Sequence, residues 1–316
     1  MMESVHEKYM RRCLQLAANG FYNAPPNPMV GALVVYADRI IGEGYHVRCG
    51  GPHAEVNAFA SVRPEDEHLL GESTIYVSLE PCAHFGKTPP CANLIVSKGV
   101  KRCVVGCIDP FAKVQGRGVE ILRSAGIEVI VGVLEDECRA LNKRFFTFHE
   151  HHRPFITLKW AETKDGYIGY KDQSPDHQLH ISNSFTQLIC HKRRSEHEAI
   201  LVGRKTVEAD DPNLTSRLWY GRNPLRCVLG SPDKLAQMKR TDGSDYELLQ
   251  TDSGTLFAGS IDELLAKLYE RGIQSLLVEG GRQVLQAFID RSLWDEAYVE
   301  RGDMEIGEGI KSPNIS

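Results

Sequence analysis

No stretch of this 316-residue chain approaches the apolar length of a membrane span. Met1 to Leu16 carries charges throughout and lacks the apolar segment of a secretory signal. Neither a membrane protein nor an exported one is expected. Charge of one sign is also missing: 37 Lys and Arg stand against 42 Asp and Glu, a formal net charge of -5. That balance gives no electrostatic footing for nucleic acid or for an acidic membrane surface. Internal repeats and low-complexity tracts are absent, and so is the G-x-G-x-x-G fingerprint of the usual dinucleotide fold. What remains is ordinary for a globular protein, with 42% hydrophobic and 25% charged residues and a length that suggests two domains. A cytoplasmic location is expected, where the nine cysteines serve as thiols or metal ligands and not as disulfides.

Against that background four residues stand out. His53, Cys82 and Cys91 offer one imidazole and two thiols, and Glu55 lies two positions after His53. Zn²⁺ takes imidazole and thiolate readily, and three protein ligands leave a fourth tetrahedral position for water, the mark of a catalytic site. Glu55 is then the proton carrier. A cysteine taken singly is more often core than ligand. The context argues otherwise here. His53, Ala54 and Glu55 open a helical stretch, and Pro81 and Cys82 follow directly on the apolar run Thr74 to Leu79. A strand end passing into a helix start aims backbone N–H groups at Cys82, which favours its thiolate. H-x-E followed by P-C and a further Cys is the grammar of zinc deaminases, in which the Glu is not a ligand. One departure is clear: eight residues, Ala83 to Pro90, separate the two cysteines, where that signature has two.

The remaining patterning predicts an α/β chain. Ser4 and Glu7 form a capping box for a helix to about Asn19. Strands are expected at Gly31 to Tyr36 and Ile40 to Tyr45 with Ala37-Asp38-Arg39 as the hairpin link, then at Thr74 to Leu79, Arg102 to Gly106 and Glu128 to Val131. Helices are expected after His53, from Cys91, near Val119 to Ala125, and as one further helix from Glu135 to about His149. Residues 151–154, HHRP, break that helix and set the domain boundary, giving domains 1–150 and 151–316. The histidines His149, His151 and His152 lack helical ligand spacing and read as a linker.

The second half restarts with strand Phe155 to Ala161 and a turn at Asp165-Gly166. Further strands fit Ala199 to Val202, Arg226 to Leu229, Ser275 to Glu279 and Glu296 to Val299, and helices fit Asn183 to Arg194, Ile261 to Arg271 and Gly281 to Ile289. Thr241 to Gly254 reads as an exposed loop. Glu279-Gly280-Gly281 ends an apolar strand and starts a helix, where paired glycines let backbone N–H groups approach a phosphate. Taken alone, such a turn is weak support for a phosphate site.

The stretch 80–91, EPCAHFGKTPPC, together with 27–31, NPMVG, and 51–55, GPHAE, resembles the deaminase half of the bifunctional riboflavin biosynthesis deaminase/reductases, in which the long cysteine spacing is characteristic. Residues 157–159 (TLK), 200–203 (ILVG), 210–215 (DDPNLT) and 278–281 (VEGG) resemble the reductase half in the right order. The resemblance implies a cytidine-deaminase-like N-terminal domain and a dihydrofolate-reductase-like C-terminal domain that uses NADPH. It implies Zn²⁺ held by His53, Cys82 and Cys91, catalysis by Glu55 and Lys159, and substrate contacts from Asn27, His46, Lys87, Arg194, Leu214, Arg217 and Glu279. Ala161, His180, Thr206, Asp210, Gly281, Arg282 and Gln283 are implied cofactor contacts. His180 stands where the family usually has Trp.

The implied substrate is a phosphoribosylated pyrimidine, first deaminated and then reduced from ribosyl to ribityl, in a homodimer with no nucleic-acid or membrane partner. The family pattern continues beyond position 316, so the second domain is expected to be C-terminally truncated. Three alternatives stand beside this reading. One is a deaminase whose second domain is inactive. The second is a nucleobase or tRNA-type zinc deaminase, disfavoured by the negative charge and the long insertion. The third is a zinc-stapled binding module, which needs a fourth protein ligand such as His84.

Overall fold

The computed structural model describes residues 4–83, 89–111, 115–172, 177–230, 233 and 255–315. Its contacts separate two compact units, Met1–His151 and His152–Ser316. Lys87, His84 and the loop expected at Thr241 to Gly254 lie outside the described residues.

In the first unit, α1 (Val5–Ala18) opens on the expected capping box, with the Ser4 hydroxyl accepting from the Glu7 N–H and the Glu7 carboxylate accepting from the Ser4 N–H. Strands β1 (Gly31–Tyr36) and β2 (Arg39–Tyr45) form a hairpin. Its turn is shorter than expected, because Ala37 and Asp38 both take positive φ (43° and 61°), the geometry that matches strand twist, and Arg39 is already paired. β3 (Thr74–Leu79), β4 (Arg102–Cys107) and β5 (Glu128–Val131) complete a sheet of order β2-β1-β3-β4-β5, antiparallel on the β1 side and parallel from β3 to β5. Helices α2 (Ala54–Ala60), α3 (Cys91–Lys98) and α4 (Arg117–Ser124) connect it, and a 3-10 stretch, Pro64–Glu72, was not expected from the sequence.

The central strands are buried on both faces, and their alternation sorts the core into two layers. Ala32, Val34, Ile75, Val77, Cys103 and Val105 face α2, α3 and α4 through Ala58, Phe59, Ile95 and Leu122. Leu33, Val35, Tyr76 and Val104 face the other way, onto Met10, Cys13 and Leu16 of α1. Helix α1 lies so close that a Cβ on Gly31 would come within 2.0 Å of the Cys13 carbonyl oxygen, so only glycine fits.

The single helix expected from Glu135 to His149 is instead two, α5 (Glu135–Leu141) and α6 (Lys143–His151). Asn142 breaks it, because its side chain clamps the backbone of Met29: Oδ1 accepts from the Met29 N–H and Nδ2 donates to the Met29 carbonyl, both at 2.8 Å. That double bond outcompetes continuation of the helix. His149 packs its ring edge-on against Phe145, with centroids 4.4 Å apart.

The second unit is a six-stranded sheet, wholly parallel, of order β10-β9-β8-β11-β6-β12. Its strands are β6 (Phe155–Glu162), β8 (Ala199–Gly203), β9 (Leu225–Leu229), β10 (Leu256–Ala258), β11 (Ser275–Val278) and β12 (Glu296–Arg301). A short antiparallel ribbon pairs β7 (Tyr167–Gly169) with β13 (Ile310–Lys311). Helices α7 (Ser184–Glu196), α8 (Arg204–Asp210), α9 (Ile261–Glu270) and α10 (Arg282–Asp290) flank the sheet. Ile156, Leu158, Leu201, Leu276 and Val278 pack on Leu264, Leu268, Leu285 and Phe288, while Ile200, Val202 and Leu277 face Val207 and Leu214. The elements of this unit missing from the sequence reading, β7, α8, β10 and β13, are all of seven residues or fewer, too short for a periodicity to register. Among the described residues no helix is long and apolar enough to cross a membrane.

The Asn142 clamp is open to test. Asn142→Ala orphans a Met29 donor and acceptor and should lower the unfolding free energy by about 2 kcal/mol in urea titrations; an unchanged midpoint would remove the clamp from the account.

Candidate active sites

In the first unit, strand ends and helix starts bring the three soft donors together. His53 is the N-cap residue of α2, Cys82 follows β3, and Cys91 is the first residue of α3. Their donor atoms all lie within 4.8 Å of one another, the one such His/Cys/Asp/Glu group among the described residues. His53 Nδ1 is 3.6 Å from Cys82 Sγ and 3.3 Å from Cys91 Sγ. A tetrahedral zinc with ordinary Zn–S and Zn–N bonds separates such donors by about 3.6 Å. The cluster therefore fits the ion, in ligand type as well as in spacing.

The surroundings prepare it. The Cys91 backbone N–H donates to Cys82 Sγ at 3.2 Å. The Cys91 thiol, then the imidazole of His53, hold the Cys82 thiol down to about 4, and the same contact together with burial pushes Cys91 up. Cys82 in turn raises the pKa of His53. Glu55, 3% exposed in the first turn of α2, has its carboxyl pKa raised by burial, with His53 opposing the shift. A carboxyl shifted upward towards neutrality is suited to carry a proton in both directions.

His46 and Asn27 form a second pair beside these residues. The Pro52 carbonyl can only accept, so His46 Nδ1 carries the proton at 3.0 Å and Nε2 accepts from the Asn27 amide at 3.0 Å. Burial lowers the His46 pKa, which keeps the ring neutral. Its plane lies edge-on to His53, with centroids 5.5 Å apart. Asn27, His46, His53, Glu55, Cys82 and Cys91 thus lie in one locality.

Glu80 was not singled out from the sequence, yet it organises this end of β3. Buried to 4% exposure, its carboxylate accepts the backbone N–H groups of Asp109, Gly116, Gly118 and Val119 at 2.9–3.3 Å. The Cys82 segment is thereby tied to the start of α4. The approach is so tight that a Cβ on Gly118 would lie 2.0 Å from the Pro81 carbonyl oxygen. Its position next to Pro81 was the only available signal, and position alone does not reveal which N–H groups a carboxylate collects.

In the second unit a cavity of about 900 Å³ opens at the C-terminal ends of the parallel strands, the usual place for a ligand in such a sheet. Its wall includes Lys159, Ala161, His180, Thr206, Asp210, Glu279, Gly281, Arg282 and Gln283. Every residue expected to touch the cofactor is thus present in one cavity. Thr206 Oγ1 accepts from the Gly281 N–H at 2.8 Å, and a Cβ on Gly280 would lie 2.9 Å from the Gly203 nitrogen. Two glycine turns in such contact form a bare backbone surface, which fits the diphosphate of a dinucleotide. Lys159 lies on β6, 4.0 Å from the Glu300 carboxylate.

Three expected substrate residues are placed differently. Arg194 makes a two-pronged ion pair with Glu279, at 3.0 and 2.7 Å, and donates to the Thr215 carbonyl. Its planar guanidinium is used mainly to hold Glu279. Burial alone would raise the Glu279 pKa, but Arg194, with Lys159 assisting, holds it down to about 2. Leu214 is 2% exposed and packs in the core, and Arg217 is exposed; neither side chain lines the described cavity.

Fold and sites together define a two-domain enzyme, with a cytidine-deaminase-like zinc unit and a dihydrofolate-reductase-like nucleotide unit. Residues 3–107 match the cytidine and deoxycytidylate deaminase zinc-binding region, and residues 154–309 match the RibD C-terminal domain. The chain is 38% identical to the riboflavin biosynthesis protein RibD of Aquifex aeolicus, across 98% of this chain and 90% of that one. It is 35% identical to RibD of Bacillus amyloliquefaciens across 98% and 88%. Among solved structures it is similar to a diaminohydroxyphosphoribosylaminopyrimidine deaminase/5-amino-6-(5-phosphoribosylamino)uracil reductase from Thermotoga maritima, with TM-score 0.83, 38% identity and coverage of 97% and 89%. Acinetobacter baumannii RibD follows at TM-score 0.81 and 31% identity, with coverage of 97% and 89%. The chain belongs to the RibD family of riboflavin biosynthesis proteins, bifunctional enzymes with a zinc-dependent deaminase and an NADPH-dependent reductase activity.

Two outcomes follow from the buried carboxylates. Glu80→Ala strands four backbone donors and should cost the first unit at least about 2 kcal/mol, read as a lower urea midpoint and faster loss of zinc to a chelator. For Glu279 the folded pKa is depressed from 4.5 to about 2. The ion pair therefore contributes fully above the ordinary carboxylate range, and roughly 3 kcal/mol is lost as pH falls from about 4.5 to about 2. Compared with an Arg194→Met/Glu279→Gln double variant, the wild type should show the steeper acid loss of stability.

Proposed function

We propose that the deaminase step runs on Glu55 with His53, Cys82 and Cys91, and the reductase step on Lys159 and the cavity residues of the second unit. The carrying observation is the convergence of His53, Cys82 and Cys91 on one tetrahedral-sized gap beside a buried carboxyl whose pKa is raised. The substrate is 2,5-diamino-6-(5-phosphoribosylamino)pyrimidin-4-one, by analogy with the activity named for the Thermotoga maritima enzyme.

Zinc held by His53, Cys82 and Cys91 supplies Lewis-acid activation of water. Glu55 takes one proton from the attacking water and gives it to the ring nitrogen, then takes the second proton from the adduct's hydroxyl and gives it to the departing amino group, so that ammonia leaves and a carbon–nitrogen bond is exchanged for carbon–oxygen. Neutral His46 and Asn27, fixed to each other and to Pro52, hold the pyrimidine edge. Lys87 meets the substrate phosphate or carbonyl.

NADPH supplies hydride to the opened ribosyl group. Lys159 stabilises the developing alkoxide and directs a proton to it, and Glu279, fixed by Arg194, accepts from the substrate's hydroxyls. Arg194 thereby acts through Glu279, while Leu214 contributes through its backbone and Arg217 through its exposed guanidinium. Ala161, His180, Thr206, Asp210, Gly281, Arg282 and Gln283 contact the cofactor. The enzyme works in the cytoplasm as a homodimer. Nine cysteines without a disulfide support the reducing compartment, and exposed Tyr298 and Val299 on β12 offer apolar surface for a second copy.

The decisive experiment feeds the diaminopyrimidine phosphate with and without NADPH and follows products by mass. Deaminated ribosyl product without NADPH and ribityl product with it are expected; arrest at the ribosyl compound in both would leave a deaminase alone. Glu55→Gln should keep its zinc and lose deamination by at least about 100-fold, whereas retained turnover would remove Glu55 from the mechanism.

A further inference from the structure

The cavity of the second unit has a direction. Its walls come from the ends of β6, β11, β8 and β9, four neighbours in the sheet, and it runs from Lys159 and Ala161 on β6 to Leu229 and Gly230 at the end of β9. Three strand spacings span about 14 Å, room for nicotinamide, two phosphates and adenosine in sequence. Lys159 and His180 mark the hydride end. The bare backbone of Gly203, Gly280 and Gly281, linked through Thr206, sits at the middle strands and suits the two phosphates. The adenosine end then falls between β8 and β9.

That end is basic. Arg204 and Lys205 follow β8 directly and both line the cavity, as does Arg282 from the facing turn. The turns bearing them are in contact, since a Cβ on Gly203 would lie 2.8 Å from Val284 Cγ2 and one on Gly281 would lie 3.0 Å from Thr206 Oγ1. Arg204 is steadied along α8 by an ion pair to Glu208, which offsets one charge and leaves exposed Lys205 in excess. Of the carboxylates in the described wall, Glu279 is held by Arg194, and Asp210 is the last residue of α8, at the opposite end from Arg204. A site built to prefer a free ribose 2′-hydroxyl places a carboxylate there, whereas a site for a 2′-phosphate places a guanidinium or ammonium.

We propose that Arg204 and Lys205 seat the 2′-phosphate of the cofactor and thereby select NADPH over NADH. The proposal rests on the reductase reading of this unit. Both follow β8, two strands from the β6 strand that carries Lys159, so their role is discrimination between cofactors.

The test measures binding, not turnover. NADPH, NADH, adenosine 2′,5′-bisphosphate and ADP are titrated by calorimetry into the full chain and into Lys205→Ala and Arg204→Ala/Lys205→Ala, with thermal melts confirming that each variant is folded. The expected result is a Kd for NADPH and for adenosine 2′,5′-bisphosphate raised about 10-fold in the single variant and further in the double variant. NADH and ADP should move less than about twofold. The selective loss should also shrink as salt is raised. Equal weakening of all four ligands would place the residues at the diphosphate and overturn the proposal, as would unchanged NADPH affinity in the double variant. Wild-type protein that binds NADPH and NADH equally would defeat it while leaving the reductase reading intact. Wild-type protein that binds neither would defeat both.

Discussion

A strand buried on both faces has nowhere to spend its terminal polar groups except at its ends, and both sites grow from that constraint. β3 and β11 are packed above and below by apolar residues, so the chain must turn out at the C-terminal end and meet a helix start. Backbone N–H groups collect there, and each unit uses them differently. In the first they surround the Glu80 carboxylate and one reaches the Cys82 sulfur. In the second they form the bare turn of Gly280 and Gly281 at the cavity wall.

The chemistry of each site is set by what is buried next to that end. For Glu55 burial outweighs the opposing pull of His53, and its pKa rises as a proton carrier requires. Glu279 is somewhat more exposed in its cavity wall, and there the guanidinium of Arg194 overrides the effect of burial and keeps it ionised. The two carboxylates thus take opposite protonation behaviour because a paired guanidinium outweighs burial at one and burial prevails at the other. His46 shows a third solution, a buried ring kept neutral by a carbonyl on one nitrogen and an amide on the other.

Much of this was legible in the residues. The zinc donors carry their own context of strand end, Pro-Cys step and helix start, and the apolar runs of β1, β3, β4, β6, β8 and β11 are long enough to register as strands. Short elements escaped, as did the break at Asn142, because a single asparagine in a helical pattern gives no sign that Met29 is within its reach. Arg194 was expected to contact the substrate, but a guanidinium pairs equally well with a carboxylate of the protein, and only the fold shows that Glu279 lies opposite.

The sequence by itself determined the donor types, the order of strands and helices and the two-part layout, since these depend on residue identity and local period. Tertiary structure alone decided which groups are neighbours: that Glu80 gathers four distant N–H groups, that Asn27 locks His46, and that Arg204, Lys205 and Arg282 share one wall. Each of those pairings joins residues far apart in the chain, and their meeting is set by strand order and core packing, which local sequence does not encode.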